Sequence, residues 1–161
     1  MKKKILSLLL VAGLSVSLLA GCGSGAADAD KATAEGGKEA ASDLKIGAIL
    51  IGDETETYSK AHIDGIKEAA KELGIPENNI EWKERIDESE DCYDAAKALV
   101  ADGCTLVISN SYGHQDYIAE AAEEFTDVNF VSMTGDYAAI SGLDNYYNAF
   151  TNVYESRYVS G

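Results

Sequence analysis

A single proline in 161 residues leaves no proline-rich linker and no polyproline recognition segment. Cysteine is scarce as well. Cys22, Cys92 and Cys104 form no C-x-x-C pair and no zinc-ligand spacing, and His62 and His114 are too isolated to complete a metal site. Neither a metal nor another cofactor is expected. Positive charge is short: 13 Lys and Arg face 28 Asp and Glu, a formal net charge of −15. Such a surface repels nucleic acid and anionic headgroups, which argues against both as partners. No apolar run reaches the ~20 residues that a membrane-spanning helix needs. Catalytic signatures are missing too. The chain has no G-x-S-x-G elbow and no cysteine beside a plausible base. Asp53 and Asp116 could be imagined as paired carboxylates, but nothing fixes their separation. Binding is the better reading than catalysis.

What is present begins at the amino terminus. Lys2, Lys3 and Lys4 precede an apolar run from Ile5 to Ala20, the pattern of a secretory signal peptide. The run ends in Leu19-Ala20-Gly21-Cys22, which resembles the lipobox of bacterial lipoproteins. That resemblance implies cleavage after residue 21 and diacylglycerol on the Cys22 thiol. The chain is then expected at the extracytoplasmic face of a cell membrane, held by lipid. Residues 23–42 hold no aromatic and no large aliphatic residue, so they cannot bury enough apolar surface to fold and read as a tether. Residues 43–161 form the globular part.

Within it, strand and helix patterns alternate. Leu44–Ile51 is nearly all apolar, as in a strand covered on both faces. Tyr58, Ala61, His62, Gly65, Ile66, Ala69, Ala70 and Leu73 recur at helical spacing and predict a stripe facing the sheet; Gly74 and Pro76 end that helix. Ile80, Trp82 and Ile86 alternate with polar residues, which suits an edge strand. Cys92, Ala95, Ala96, Leu99 and Val100 make a second stripe, Thr105–Ser109 a buried strand, and Ile118, Ala121, Ala122 and Phe125 a third stripe. Val128–Met133 is a fourth strand, a short strand or turn follows at Tyr146–Phe150, and a helix begins near Asn152. The alternation predicts an α/β fold, a doubly wound parallel sheet in the order 2-1-3-4-5. The segment Val153–Gly161 is helical in pattern and then stops, from which a truncated lobe is expected. Cys92 and Cys104 fall at opposite ends of the second helix, so no disulfide is expected between them.

Ligands of open α/β sheets bind beyond the carboxyl ends of the strands. Those positions are Gly52–Ser59, Ser109–Asp116 and Met133–Tyr137. In the first, Asp53, Glu54 and Glu56 would repel a phosphate and would suit a neutral ligand with N–H or O–H donors. Tyr58 can lie flat against a planar ligand or pack as an ordinary aromatic. His62, one turn on, fits a hydrogen-bonded core position better than a ligand contact. The second loop offers Ser111, Tyr112 and Asp116, the last either a ligand contact or a helix cap. Thr134 in the third adds a hydroxyl.

These residues resemble the basic membrane protein family of substrate-binding lipoproteins, the purine nucleoside receptor group of the type 1 periplasmic-binding fold. The likeness spans residues 44–161. It rests on Ile49–Asp53, on Thr57-Tyr58-Ser59 with Ala61-His62 and Gly65, and on Ser111-Tyr112-Gly113. Further pieces are Ala121–Phe125, Asp127–Phe130 and Tyr154–Gly161. The resemblance implies a two-lobed receptor that closes on a nucleoside or nucleobase and delivers it to an ABC permease. It implies that Tyr58 stacks on the base, flanked by Asp53 and Ser59, with Tyr112 as the second loop's aromatic. Two positions depart from the family pattern. Ser59 stands where many members have Asn, and Met133-Thr134 where many end the strand on an acid. The ligand implied is therefore a planar, base-like molecule. The competing reading is a lipid-anchored sensor or surface interaction protein without a transporter. An exported α/β hydrolase is disfavoured by the missing nucleophile motif.

Overall fold

The computed structural model describes residues 43–150 and Tyr158. Five parallel strands form one sheet in the order β2-β1-β3-β4-β5. They are β1 (Ile46–Ile49), β2 (Ile80–Lys83), β3 (Leu106–Ser109), β4 (Asn129–Ser132) and β5 (Tyr146–Asn148). Helix α1 (Thr57–Leu73) joins β1 to β2, α2 (Glu90–Ala101) joins β2 to β3, and α3 (Gln115–Glu124) joins β3 to β4. The predicted sheet order is the observed one. The signature for it lies in β2, three of whose four residues are half-buried where those of β1 are all buried. An edge strand needs cover on fewer sides, and its sequence shows it.

Each helix starts and stops for a local reason. Glu56 caps α1 by accepting the N–H groups of Tyr58 and Ser59, and Gly74 (φ 76°) ends it in the left-handed conformation. The Ile75 N–H then returns to Ala70 O at 2.8 Å, closing the last turn. Ser89 caps α2 through the Asp91 N–H, with Glu90 and Asp91 placed to favour the positive end of the helix dipole.

Packing divides the core by sheet face. Val107, Phe130 and Tyr146 share one register layer with Gly47 and lie under Cys92, Ala95, Ala96 and Leu99 of α2 and Ile118, Ala121 and Ala122 of α3. Gly47 is small because it must be: a Cβ there would lie 2.7 Å from Leu99 Cδ1. On the opposite face Ile46 and Ala48 meet Ile66 and Ala70 of α1 with Ile75 and Ile80. Burying a side chain of this kind contributes roughly 1.5–3 kcal/mol. Cys92 and Cys104 are both free thiols in the core, and burial pushes the Cys92 thiol up to about 12.

Three expectations need correction. The buried stripe of α1 is Ser59, Ile63, Ile66 and Ala70, not the stripe through Tyr58, Ala61, Gly65, Ala69 and Leu73. Leu73 is half exposed, because the helix leans its branched residues toward β1 and β2 and leaves its small residues beside β3. Ile86 lies beyond the end of β2, where its N–H bonds Leu50 O at 3.0 Å. A one-turn helix, α4 (Ala138–Ser141), stands between β4 and β5 where the sequence suggested none. The signal peptide, Cys22, the tether and the helix expected from Asn152 lie outside the described residues apart from Tyr158, which is helical and exposed.

Candidate functional site

The carboxyl ends of β1, β3 and β4 carry three loops, and one residue ties them together. Asn110, fully buried just past β3, uses its side-chain oxygen to accept the Ile51 N–H at 2.9 Å. Its side-chain nitrogen donates to Ser59 Oγ at 3.3 Å. Its main-chain carbonyl accepts the hydroxyl of Tyr58 and, at 2.9 Å, that of Thr134. Asn110, itself in the second loop, thus ties Ile51, Tyr58 and Ser59 on the first-loop side to Thr134 of the third. Sequence reading passed over it, since an Asn after a strand looks like any polar loop residue. The available signal was the need to satisfy main-chain groups where β1 and β3 end side by side.

Tyr58 is held in a defined pose. Its hydroxyl is anchored on Asn110, its ring meets that of His62 edge-to-face with centroids 4.8 Å apart and planes at 69°, and 41% of it stays exposed. His62 is half-buried beside Tyr58, not in the hydrogen-bonded core position expected of it. Partial burial lowers its pKa, opposed by the nearby Glu56 carboxylate. Ser59 is fully buried and accepts the Gly52 N–H at 3.1 Å, so it shapes the loop from beneath.

The expected acids take different roles. Asp53 is buried, and its carboxylate is held by the hydroxyl and N–H of Thr55 and by Arg85. The Thr55 bonds above all, then Arg85, keep that carboxyl below its usual pKa. Arg85 itself has a positive φ of 58°, an uncommon backbone state for a side chain of its size, and its N–H bonds Gly52 O at 3.0 Å. Asp53 and Arg85 therefore brace the first loop from the β2 edge. Glu88 plays the same part for the second loop: it accepts the Ser111 hydroxyl and the Gly113 N–H, which lower its pKa in that order. A Cβ on Gly113 would lie 2.4 Å from the Glu88 carboxyl carbon, so a larger residue there would displace the Glu88 carboxylate from this position. Asp116 is exposed in the first turn of α3, and α3 has no side-chain cap at its N-terminus.

The third loop closes the arrangement. Gln115, buried at the start of α3, accepts the N–H groups of Asp136 and Tyr137 at 3.1 Å each. Gly135 (φ 141°) makes the tight passage past Gln115 that this requires. Tyr112, half exposed, donates its hydroxyl to Asp136 Oδ1 at 3.1 Å. Beneath lie Ser109, Ser132 and Tyr146 in one hydrogen-bonded series ending on Gln115 O. The result is a rim that exposes the aromatic rings of Tyr58, Tyr112 and Tyr137 over a fixed polar floor. Among the described residues no group of three or more His, Cys, Asp or Glu is placed to hold a metal ion.

Comparison with known proteins gives a family from sequence and a fold from structure. Residues 50–161 match the family described as ABC transporter substrate-binding protein PnrA-like. A purine-binding protein of Brucella abortus (strain 2308) is 30% identical over 127 residues, covering 78% of this chain and 35% of its own length. An ABC transporter solute-binding protein from Conexibacter woesei shares the fold with a TM-score of 0.56 at 19% identity, over 65% of this chain and 34% of its own. The chain thus spans about a third of the length of the proteins it matches.

Proposed function

The chain belongs to the PnrA-like family of ABC transporter substrate-binding proteins, and from that premise we propose that it supplies one ligand-binding lobe of an importer's receptor. The ligand is a nucleoside, nucleobase or similar planar molecule, passed on to a membrane permease, and the receptor is held at the extracytoplasmic face by lipid on Cys22. The observation that carries this reading is the pose of Tyr58. An aromatic tethered at its hydroxyl and braced by the His62 ring, yet exposed, is pre-organised as a stacking surface, which reduces the ordering cost of binding. The Brucella relative's name adds a purine to the candidate ligands.

The test is calorimetry on the intact protein with a panel of purine and pyrimidine bases and nucleosides. Stacking adds about 0.5–1.5 kcal/mol beyond the area it buries. Tyr58→Ala, which also loses that area, is expected to weaken binding by about tenfold or more. Tyr58→Phe keeps the ring and releases the tether to Asn110, so a smaller loss is expected. Unchanged affinity in the alanine variant would remove Tyr58 from the site, and no heat with any member of the panel would remove the planar ligand.

A further inference from the structure

Resting on the receptor reading, we infer that this lobe selects, among planar ligands, those that present amino hydrogens to it over those that present carbonyl oxygens. The inference follows from where the hydroxyl hydrogens of Tyr58, Ser59, Ser111, Tyr112 and Thr134 point. Tyr58 and Thr134 both donate to Asn110 O. Ser111 donates to Glu88, and Tyr112 to Asp136. Ser59 accepts the Gly52 N–H and the Asn110 amide and bonds the Glu56 carboxylate. Each of these hydroxyls faces inward with its hydrogen; Ser59 and Ser111 are buried, and what Tyr58, Tyr112 and Thr134 can turn toward a ligand is a lone pair.

The other side chains agree. Residues 52–59, 109–116 and 133–137 contain no lysine or arginine. The amide nitrogen of Asn110 is bonded to Ser59, and Gln115 is buried beneath the Asp136 loop. His114 is buried with Nε2 on Ile86 O at 3.0 Å. The outward polar groups lean toward acceptors: the tethered oxygens of Tyr58 and Thr134 and the exposed carboxylates of Asp116 and Asp136, against the exposed hydroxyls of Thr57 and Tyr137 and the half-buried His62 ring, which can also donate. A carbonyl oxygen set against Asp136 and the tethered hydroxyls of Tyr58 and Thr134 meets lone pairs and loses its water without replacement, whereas an amino group is satisfied. Asp136 matters most. Tyr112 and Gln115 fix it from two sides, and a charged acceptor makes the stronger bond.

Adenine, purine and hypoxanthine separate the possibilities, since position 6 carries an amino group, a hydrogen and an oxygen in turn. With the intact protein in titration calorimetry, adenine is expected to bind at least tenfold more tightly than hypoxanthine, with purine between. In Asp136→Asn, which replaces one acceptor oxygen by a donor, the adenine-to-hypoxanthine ratio is expected to shrink severalfold. Hypoxanthine binding as tightly as adenine overturns the inference while leaving the receptor reading in place. A ratio unchanged in Asp136→Asn overturns its assignment to this carboxylate. Absence of binding by all three, and by the wider panel, removes the receptor reading and the inference with it.

Discussion

At the scale of single residues, the site is built by a side chain that contacts its neighbours rather than by the most conspicuous chemical groups. Tyr58 could be picked from the sequence because an aromatic beyond a strand end is chemically conspicuous. Asn110 could not, because its importance is relational: Ile51 N–H, Ser59, Tyr58 and Thr134 come within reach of it only in the folded chain. Asp53 shows the converse. Its position at the strand end was legible, but its pairing with Arg85, thirty-two residues away, was not. Asn110→Ala strips the buried Ile51 N–H of its partner, and an orphaned group of that kind costs about 1–3 kcal/mol. The variant is expected to be less stable by that amount in urea titration and to bind more weakly, since the Tyr58 anchor depends on the same loop. Full stability together with wild-type affinity would show that Asn110 is not the hub.

At the scale of elements, periodicity told helix from strand but could not orient α1. Small residues at Ala61, Gly65 and Ala69 and larger ones at Ile63 and Ile66 leave two overlapping apolar stripes, and only packing on β1 and β2 chooses between them. The short α4 was hidden because four residues are less than a period that could be recognised. The junctions between elements carry a pH dependence. His114, the first residue before α3, is buried with Nε2 on Ile86 O and Nδ1 without a partner, and burial lowers its pKa below the usual 6.5. His62 shifts the same way. Asp53, Glu56 and Glu88, which cap and brace the loops, have pKa values below their usual 3.8, 4.5 and 4.5. For all five the unfolded chain binds protons first on acidification, so stability rises with pH through each window. The stability these five groups contribute is fully present above about pH 6.5, falls below it as the unfolded histidines protonate, and falls again below about 4.5 as the carboxylates follow. Urea midpoints measured across this range are expected to show both declines, and His114→Gln is expected to flatten the upper one. A midpoint that rises between pH 7 and 5 contradicts the assignment.

At the scale of the whole molecule, the order of the strands was legible because burial on two faces, one face or an edge leaves different patterns in β1, β2 and β3. Charge acts at this scale as well, and it bears on the proposed lipid anchoring. Loss of residues 1–21, with three lysines and no acid, takes the formal charge from −15 to −18. A chain of that charge is repelled by anionic headgroups, and among the described residues no helix is long and apolar enough to cross a bilayer. Retention would then depend on the lipid at Cys22. Two or more acyl chains on one cysteine hold far more firmly than the marginal grip of one. The wild-type protein is therefore expected in the membrane fraction, resistant to washing with high salt and released by detergent. Cys22→Ser is expected to accumulate as unprocessed precursor, without the lipidated mature form. If the serine variant were instead cleaved after residue 21 and remained salt-resistant, an anchor elsewhere in the chain would have to replace Cys22.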